Sequence, residues 1–413
     1  MSHETAPEGV PEPPGPARLR RALGMPLVLA YGLGTIIGAG IYVAVGQVVA
    51  EAGAMAPIAF IVAGALAALT GLVYAEFTAR QPEAAGAAAY VQAAFGSPAL
   101  ARATGVAVAG AAMVAASSIA RGGAGFLAQL VPVSEPLGAA LIVAAFTALA
   151  CRGVVESVSV AAVITVVEIA GLLFVMATGI AAVPSSLSAY LPEGVPATAT
   201  LLGVASGAFI AFFAFIGFET MANMAEETRD VIAVLPRAIV LAVLISTLLY
   251  AGVALVAVAA VAPEDLARSP LALCRVIEAR GHGCGTWFTG IALIATLNGV
   301  LVEIIMVARL AYGMSRRGWL PPWFGHLGAR HAVPTRATLA CGAMVLVLAV
   351  VLDFRWLVAM TSALTLAVFA LVSVGLWRVQ IREPRSDLAI RAPRWVPPLA
   401  ALSCLALMAA ALA

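Results

Sequence analysis

Runs of apolar residues long enough to cross a lipid bilayer recur along most of the chain. A helix needs about 20 residues to span the hydrocarbon core of a bilayer. Charged residues make up only 11% of the sequence, whereas soluble domains carry about 25%. We therefore predict an all-α polytopic membrane protein with about eleven transmembrane helices, of which the fourth and ninth are short, at residues 22–49, 55–79, 101–130, 136–151, 156–183, 200–224, 234–262, 286–314, 336–352, 355–378 and 395–413.

The arginines orient these runs across the membrane. The chain contains no lysine, and cytoplasmic loops of membrane proteins are enriched in basic residues. Placing the N-terminus in the cytoplasm leaves only Arg268, Arg275, Arg280 and Arg355 outside, whereas the opposite orientation would expose most of the 23 arginines. We expect a multi-pass protein of the cytoplasmic (inner) membrane, in contact with lipid and with no nucleic-acid partner. Residues 1–21, rich in proline and glutamate, predict a disordered cytoplasmic tail and not a signal peptide.

The first apolar run carries an unusual cluster of glycines, in the stretch YGLGTIIGAGIY from Tyr31 to Tyr42. Glycine weakens a helix by up to about 1 kcal/mol relative to alanine. Irregular backbone survives at membrane depth only where protein or water satisfies its N–H and C=O groups. The stretch therefore predicts a helix that unwinds around polar backbone groups, which a substrate could use. The alternative is that these glycines only allow close helix packing.

The sixth run repeats this pattern, because aromatic residues crowd Gly217 and Glu219 follows directly. Two interrupted helices five spans apart point to an inverted-repeat transporter. We predict halves at 22–183 (helices 1–5) and 200–378 (helices 6–10), with one additional transmembrane helix at 395–413. The two halves show no clear sequence identity, so this prediction rests on the spacing.

Histidine and cysteine give little sign of metal or redox chemistry. The four histidines lie outside the apolar runs, and the chain has no HExxH or paired-cysteine metal motif. We expect no cofactor, no metal and no enzymatic centre. Cys274 and Cys284 share the loop before the eighth helix, where a disulfide could form in an oxidising compartment. Chance placement of these two cysteines is the favoured interpretation.

Three motifs in order resemble the amino acid–polyamine–organocation (APC) superfamily, and within it the bacterial amino acid permeases near the cationic amino acid transporter branch. The motifs are GLGTIIGAGIY at 32–42, AFIGFETMANMAEETRD at 214–230 followed by LPRAI, and TLNGVLVEIIMVARLAYGMSRRGWLP at 296–321. The resemblance covers about residues 22–380. It implies a LeuT-type five-plus-five inverted-repeat bundle that carries amino acids by alternating access.

An amino acid zwitterion suits such interrupted helices. Free N–H groups at the start of a half-helix can hold its carboxylate, and unwound carbonyls can hold its ammonium group. We expect the carboxylate at Ile37, Gly38, Ala39 and Gly40. The ammonium group is expected at carbonyls near Thr35 and Ile36 and at the Gly217 interruption, together with Phe215 and Ile216. An aromatic wall and outer gate would use Phe212, Phe215 and Phe218, with Glu219 as a gate charge, although packing accounts for the phenylalanines equally well.

Glu168, near the middle of the fifth helix, is the candidate proton-coupling residue. A carboxylate at the bilayer centre costs about 2.5–3.5 kcal/mol on insertion scales, so it usually has a function or a partner. A structural pair with Arg309 or Arg121 is the alternative. Glu303 and Arg309 lie six residues apart on the eighth helix, a poor spacing for a pair within one helix. Each is therefore expected to have a partner on another helix.

Several functional alternatives stay open at this stage. An amino acid transporter, with coupling to protons, is the favoured prediction, and an exchanger without ion coupling is the second. A polyamine or other organic-cation carrier is supported by the acidic residues Glu76, Glu168, Glu219 and Glu303. A membrane-embedded enzyme or sensor is disfavoured, because no catalytic cluster is visible within the runs. The preferred amino acid and the oligomeric state stay open.

Overall fold

The chain folds into helices throughout the part that the computed structural model describes, which comprises residues 23–38, 40–81, 86–152, 158–183, 197–224, 228–269, 271–328, 333–384, 388 and 390–411. The predicted tail at 1–21 lies outside these residues. Within them the α-helices are α1 (Met25–Ile37), α2 (Gly40–Ala52), α3 (Ala56–Arg80), α4 (Gly86–Phe95), α5 (Pro98–Leu130), α6 (Glu135–Cys151), α7 (Val158–Gly179), α8 (Ala197–Phe212), α9 (Val231–Ala260), α10 (Pro263–Arg268), α11 (Ala272–Ala279), α12 (Gly285–Arg316), α13 (Thr335–Val351), α14 (Phe354–Arg382) and α15 (Val396–Ala410).

Many of these helices suit a bilayer in length and composition. Among the described residues, seven helical stretches are long and apolar enough to cross a membrane, the longest being Gly40–Arg80 with 41 residues. Four further apolar helices are shorter, namely α1, α6, α13 and α15. Where the structure describes them, the apolar runs predicted from the sequence fall on helices, and the protein is a polytopic helical membrane protein.

Three short helices lie in segments that the sequence analysis treated as connections. They are α4, α10 and α11, and they were missed because each is far below spanning length. They are nevertheless packed into the protein. The ring of Tyr90 on α4 stacks on Phe77 of α3 with centroids 4.6 Å apart, and Leu266 on α10 is fully buried.

Small residues allow the helices to approach closely. A Cβ atom at Gly64 of α3 would overlap the side chain of Thr247 on α9, so only glycine fits at this contact. Such contacts matter in lipid, where packing and not water exclusion drives helix association. The α3–α9 contact is therefore one place where the fold depends on close packing.

Glu76 near the end of α3 is a structural anchor. Its side chain is fully buried. Its Oε1 accepts hydrogen bonds from Arg80 at 2.6 and 2.8 Å. Its Oε2 accepts from Gln380 Nε2 at 2.7 Å and from the Ala392 N–H at 2.9 Å. One carboxylate thus ties α3 to α14 and to the segment before α15.

A disulfide links Cys274 on α11 to Cys284 just before α12. The expectation of chance placement is therefore wrong. The sequence could not decide the matter, because the loop folds into α11 and brings the two Cα atoms within 5.2 Å. The disulfide fixes α11 against the start of α12.

Two helices are interrupted, and both interruptions fall at the glycine clusters. Helix α1 ends at Ile37 and α2 begins at Gly40. Helix α8 ends at Phe212 and continues as two 3₁₀ segments, Phe213–Phe215 and Phe218–Met224. Between them Ile216 is extended and Gly217 has φ +130°, a value that strongly favours glycine. Both interruptions free backbone groups from their helices.

Candidate functional site

The two interruptions lie against each other. The Thr35 hydroxyl at the end of α1 donates to the Gly32 carbonyl at 3.0 Å, and its Oγ1 lies 3.3 Å from the Gly217 carbonyl oxygen. A Cβ atom on Gly217 would overlap the carbonyl oxygen of Thr35, and one on Gly40 would lie 2.7 Å from the Cα of Ala214. Glycine is therefore required at both positions by close backbone approach. The two glycine clusters are far apart in sequence, but they form one site in the folded protein.

Tyr250 of α9 joins the two interruptions from behind. Its hydroxyl donates to the Ile36 carbonyl at 2.8 Å and lies 3.0 Å from the Ala214 carbonyl oxygen. Its ring contacts Phe215 with centroids 5.1 Å apart. The hydroxyl satisfies carbonyl groups that the broken helices leave free. Because the Ile36 carbonyl already has this partner, it is a weaker candidate for binding an ammonium group than the sequence suggested.

A central cavity of about 750 Å³, its open mouth included, lies beside both interruptions. Helix α5 closes one side of it and α12 another. Its lining includes Thr35, Ile36, Gly38 and Gly40 from the first interruption, Phe213, Ile216 and Gly217 from the second, and Asn298, Gly299 and Glu303 from α12.

A second cavity of about 600 Å³ adjoins the first, towards the end of the bundle where α4 lies. Glu219 and Tyr74 line it, as does Phe369 of α14. Ala115, Ile216, Thr220 and Glu303 line both cavities. These four residues therefore stand at the boundary between the central space and the second cavity.

Six of the predicted substrate-binding residues line the central cavity, namely Thr35, Ile36, Gly38, Gly40, Ile216 and Gly217. Ile37 and Phe215 are fully buried and are absent from the described lining of either cavity. Ala39 lies outside the described residues. The first interruption thus presents its glycines and Thr35 to the cavity, while Ile37 packs into the core.

The predicted aromatic gate is arranged differently. Phe212 and Phe218 are fully buried, and both pack on Phe369, with ring centroids 5.9 and 5.2 Å apart. Neither lines the described part of a cavity, whereas Phe213 lines the central one. Phe213, which begins the 3₁₀ turn Phe213–Phe215, was not among the residues predicted from the sequence.

Glu219 stabilises the second interruption. Its Oε2 accepts a hydrogen bond from the Gly217 N–H at 2.9 Å, and the next residue, Thr220, donates from Oγ1 to the Gly217 carbonyl at 2.6 Å. Both polar groups of the glycine are therefore held by side chains. Glu219 also lines the second cavity, so it combines a capping position with access to that space.

Glu168 lies deep in α7, with 1% of its surface exposed. The Tyr42 hydroxyl donates to its backbone carbonyl at 2.6 Å, which joins α7 to α2. Thr165, one turn earlier, lines the central cavity and donates to the Ala30 carbonyl at 3.2 Å. Glu168 itself is absent from the described lining of both cavities.

Glu303 of α12 differs from the other acidic residues at the site. Its Oε2 is buried and has no hydrogen-bond partner in the described part of the chain. The expected partner on another helix is therefore missing for this oxygen. Glu219 lines the second cavity together with Glu303. Within the described residues, no group of three or more His, Cys, Asp or Glu side chains could hold a metal ion.

Comparison with known protein families shows which family has this sequence pattern. A family model described as amino acid permease matches residues 23–413. The chain belongs to the amino acid permease family. The resemblance of the first, sixth and eighth apolar runs to this group is confirmed. The relatives found are named as transporters and permeases, and not as enzymes.

Three relatives of this permease illustrate its similarity to known transporters. It is 32% identical over 387 residues to the vacuolar cationic amino acid transporter 4 of Arabidopsis thaliana, covering 87% of this chain and 63% of the relative. It is 30% identical over 401 residues to the mitochondrial cationic amino acid transporter 3 of the same plant, covering 90% and 64%. The branched-chain amino acid permease BcaP of Bacillus subtilis (strain 168) is 28% identical over 422 residues, covering 95% and 89%. The chain thus spans less than two thirds of the length of the two plant relatives.

Proposed function

We propose that this permease is a secondary active transporter that carries amino acids across the cytoplasmic membrane by alternating access. The observation that supports this most strongly is the meeting of two interrupted helices at one cavity, joined by the Thr35 hydroxyl and the Gly217 carbonyl. Interrupted helices at membrane depth provide backbone donors and acceptors that a charged substrate can use. The names of the relatives support an amino acid as the substrate.

The two ends of the substrate bind to the backbone. The carboxylate lies at the start of α2, near Gly38 and Gly40, where the first N–H groups of a helix and the helix dipole favour negative charge. The Gly38 N–H itself is held by the Gly34 carbonyl at 3.0 Å. The ammonium group lies at the end of α1 and at the second interruption, near Thr35 and Ile216, where freed carbonyls accept hydrogen bonds. Phe213, and not Phe212 or Phe218, provides the aromatic wall, because it lines the cavity.

The architecture proposed for this carrier is a LeuT-type five-plus-five inverted repeat with one additional helix. Residues 22–183 form the first half and 200–378 the second, with 395–413 beyond them. The two interruptions occupy equivalent places in the two halves, which supports this division. The arginine distribution supports a cytoplasmic N-terminus.

Transport is coupled to protons in this proposal, and an exchanger without ion coupling is the alternative. Glu168 is the carrier that the sequence favours, but it is absent from the described lining of both cavities, whereas Glu303 lines both. A polyamine or other organic-cation carrier is the second candidate function. The two carboxylates of Glu219 and Glu303 at the second cavity favour it.

Uptake by proteoliposomes distinguishes these possibilities. The purified protein is reconstituted and given a panel of labelled amino acids and polyamines, with and without an inward proton gradient and with and without internal substrate. Gradient-stimulated uptake of amino acids supports the proposal. Uptake that requires internal substrate and ignores the gradient identifies an exchanger. Uptake of polyamines alone identifies the organic-cation carrier, and no uptake by folded protein contradicts the proposed function.

A further inference from the structure

The carboxylate of Glu303 occupies the boundary between the central cavity and the second cavity. A substrate moving from one space to the other therefore passes this side chain. Glu303 lies on α12, opposite the second interruption, which contributes Ile216 and Gly217 to the central cavity. Its place on the route, and not its acidity alone, is the first reason to assign it a role.

The hydrogen bonding of the two cavity carboxylates is the second reason. The carboxylate of Glu219 accepts a hydrogen bond from the Gly217 N–H at 2.9 Å, so a backbone donor stabilises its negative charge. The buried Oε2 of Glu303 has no such partner in the described part of the chain. Among the described residues that line the two cavities, none is basic. The titratable side chains that line the cavities with Glu303 are instead Glu219, Tyr31 and Tyr74, and the polar ones include Thr220 and Asn298.

An ionised carboxylate in such a place is costly. Burying an unpaired charge costs several kcal/mol, and the neighbouring carboxylate of Glu219 adds repulsion. When the cavity closes around Glu303 during transport, this cost is highest, because water can no longer solvate the charge. Something must therefore neutralise Glu303 in each closed state.

We propose that Glu303 is the charge-selective group of this carrier, neutralised by a proton when the substrate side chain is neutral and by the substrate's own side-chain cation when it is basic. This inference rests on the proposed transport function. In the first case a zwitterion and one proton cross together. In the second case a singly positive amino acid crosses without a proton. Both modes move one positive charge, but only the first should respond to a pH gradient.

The test uses proteoliposomes in which the membrane potential is clamped to zero and only a pH gradient is imposed. A gradient of one pH unit permits up to about tenfold accumulation when one proton moves with each substrate. The wild-type protein should accumulate a neutral amino acid under these conditions. It should only equilibrate a basic one, such as arginine or lysine.

Glu303→Gln should lose this distinction. The amide needs no neutralisation, so the accumulation ratio for the neutral amino acid should fall to about one while counterflow persists. Basic substrates should bind at least tenfold more weakly. Glu303→Asp, which keeps the charge, should restore the pH response in part. Glu168→Gln is measured beside it, and Glu278→Gln, on an exposed part of α11, is the matched control.

Several results would overturn the inference. If Glu303→Gln keeps the wild-type pH response, or if Glu168→Gln alone abolishes it, Glu303 does not carry the proton. If basic substrates also follow the pH gradient in the wild type, the substitution of proton by substrate cation is wrong. Failure of the wild type to move any amino acid contradicts the proposed function instead. If the Glu303→Gln protein is not folded and monodisperse, the Glu303→Asp protein is measured in its place. A reduced pH response of this variant would support the role of Glu303, and a wild-type response would contradict it.

Discussion

The Tyr250 hydroxyl donates a hydrogen bond to the Ile36 carbonyl at 2.8 Å. The same hydroxyl lies 3.0 Å from the carbonyl oxygen of Ala214, so one side chain from α9 contacts the backbone of both interrupted helices. Tyr250 is fully buried, and water cannot readily replace it. It therefore holds the two interruptions in register from the side opposite the cavity.

Tyr250→Phe should destabilise the protein and weaken substrate binding. The ring contacts with Phe60 and Phe215 would survive, but the carbonyls would lose their buried donor. Leaving a buried polar group unsatisfied costs about 1–3 kcal/mol. Thermal unfolding in detergent and binding of a labelled amino acid measure the two effects.

Tyr90→Phe is the matched control for that substitution. The Tyr90 hydroxyl is buried and has no hydrogen-bond partner in the described part of the chain, so its removal should leave stability unchanged or raise it. Equal effects of the two substitutions would show that the Tyr250 hydrogen bonds are not important.

Glu76→Gln should strongly destabilise the protein. An amide in place of the carboxylate sets an N–H₂ donor against one of the donors from Arg80, Gln380 or Ala392. Removing one member of a buried charged pair costs about 3–5 kcal/mol. Thermal unfolding checks this, with Glu278→Gln as the control, because the Arg275–Glu278 pair has both side chains about half exposed. Similar melting of both variants would contradict the anchoring role.

Thiol labelling tests the orientation of the chain. In a variant with Cys151, Cys341 and Cys404 replaced by alanine, the remaining cysteines are joined by the disulfide. A membrane-impermeant maleimide added to intact cells should label this variant only after an impermeant reductant. Labelling without reductant would contradict the disulfide. Labelling that requires permeabilised cells would contradict the outside location of the loop.

The sequence predicted the place of both interruptions because glycines clustered in an apolar run weaken the helix at that point. Gly217 shows the physical basis, since its φ of +130° is strongly disfavoured for residues with a side chain. The identity of the cavity-lining phenylalanine could not be predicted in the same way. Phe212 ends α8 and is fully buried, whereas the next residue, Phe213, begins a 3₁₀ turn and lines the central cavity.

The acidic residues show a different limit of the sequence. Glu76, Glu168, Glu219 and Glu303 look alike as isolated carboxylates in apolar runs. Their environments differ through contacts made far along the chain, such as that between Glu76 and Ala392. Only the folded structure separates an anchor, a helix cap and a residue at the boundary of two cavities.

Counterflow by Gly217→Ala tests the central claim most directly, namely that the substrate binds to the backbone of the two interruptions. A Cβ atom at this position would overlap the Thr35 carbonyl and demand an unfavourable φ. The control is Gly290→Ala on α12, where a Cβ atom meets nothing within 4 Å. We predict that Gly217→Ala loses amino acid counterflow in proteoliposomes while Gly290→Ala retains it, with both proteins folded. Wild-type counterflow by folded Gly217→Ala would contradict the account.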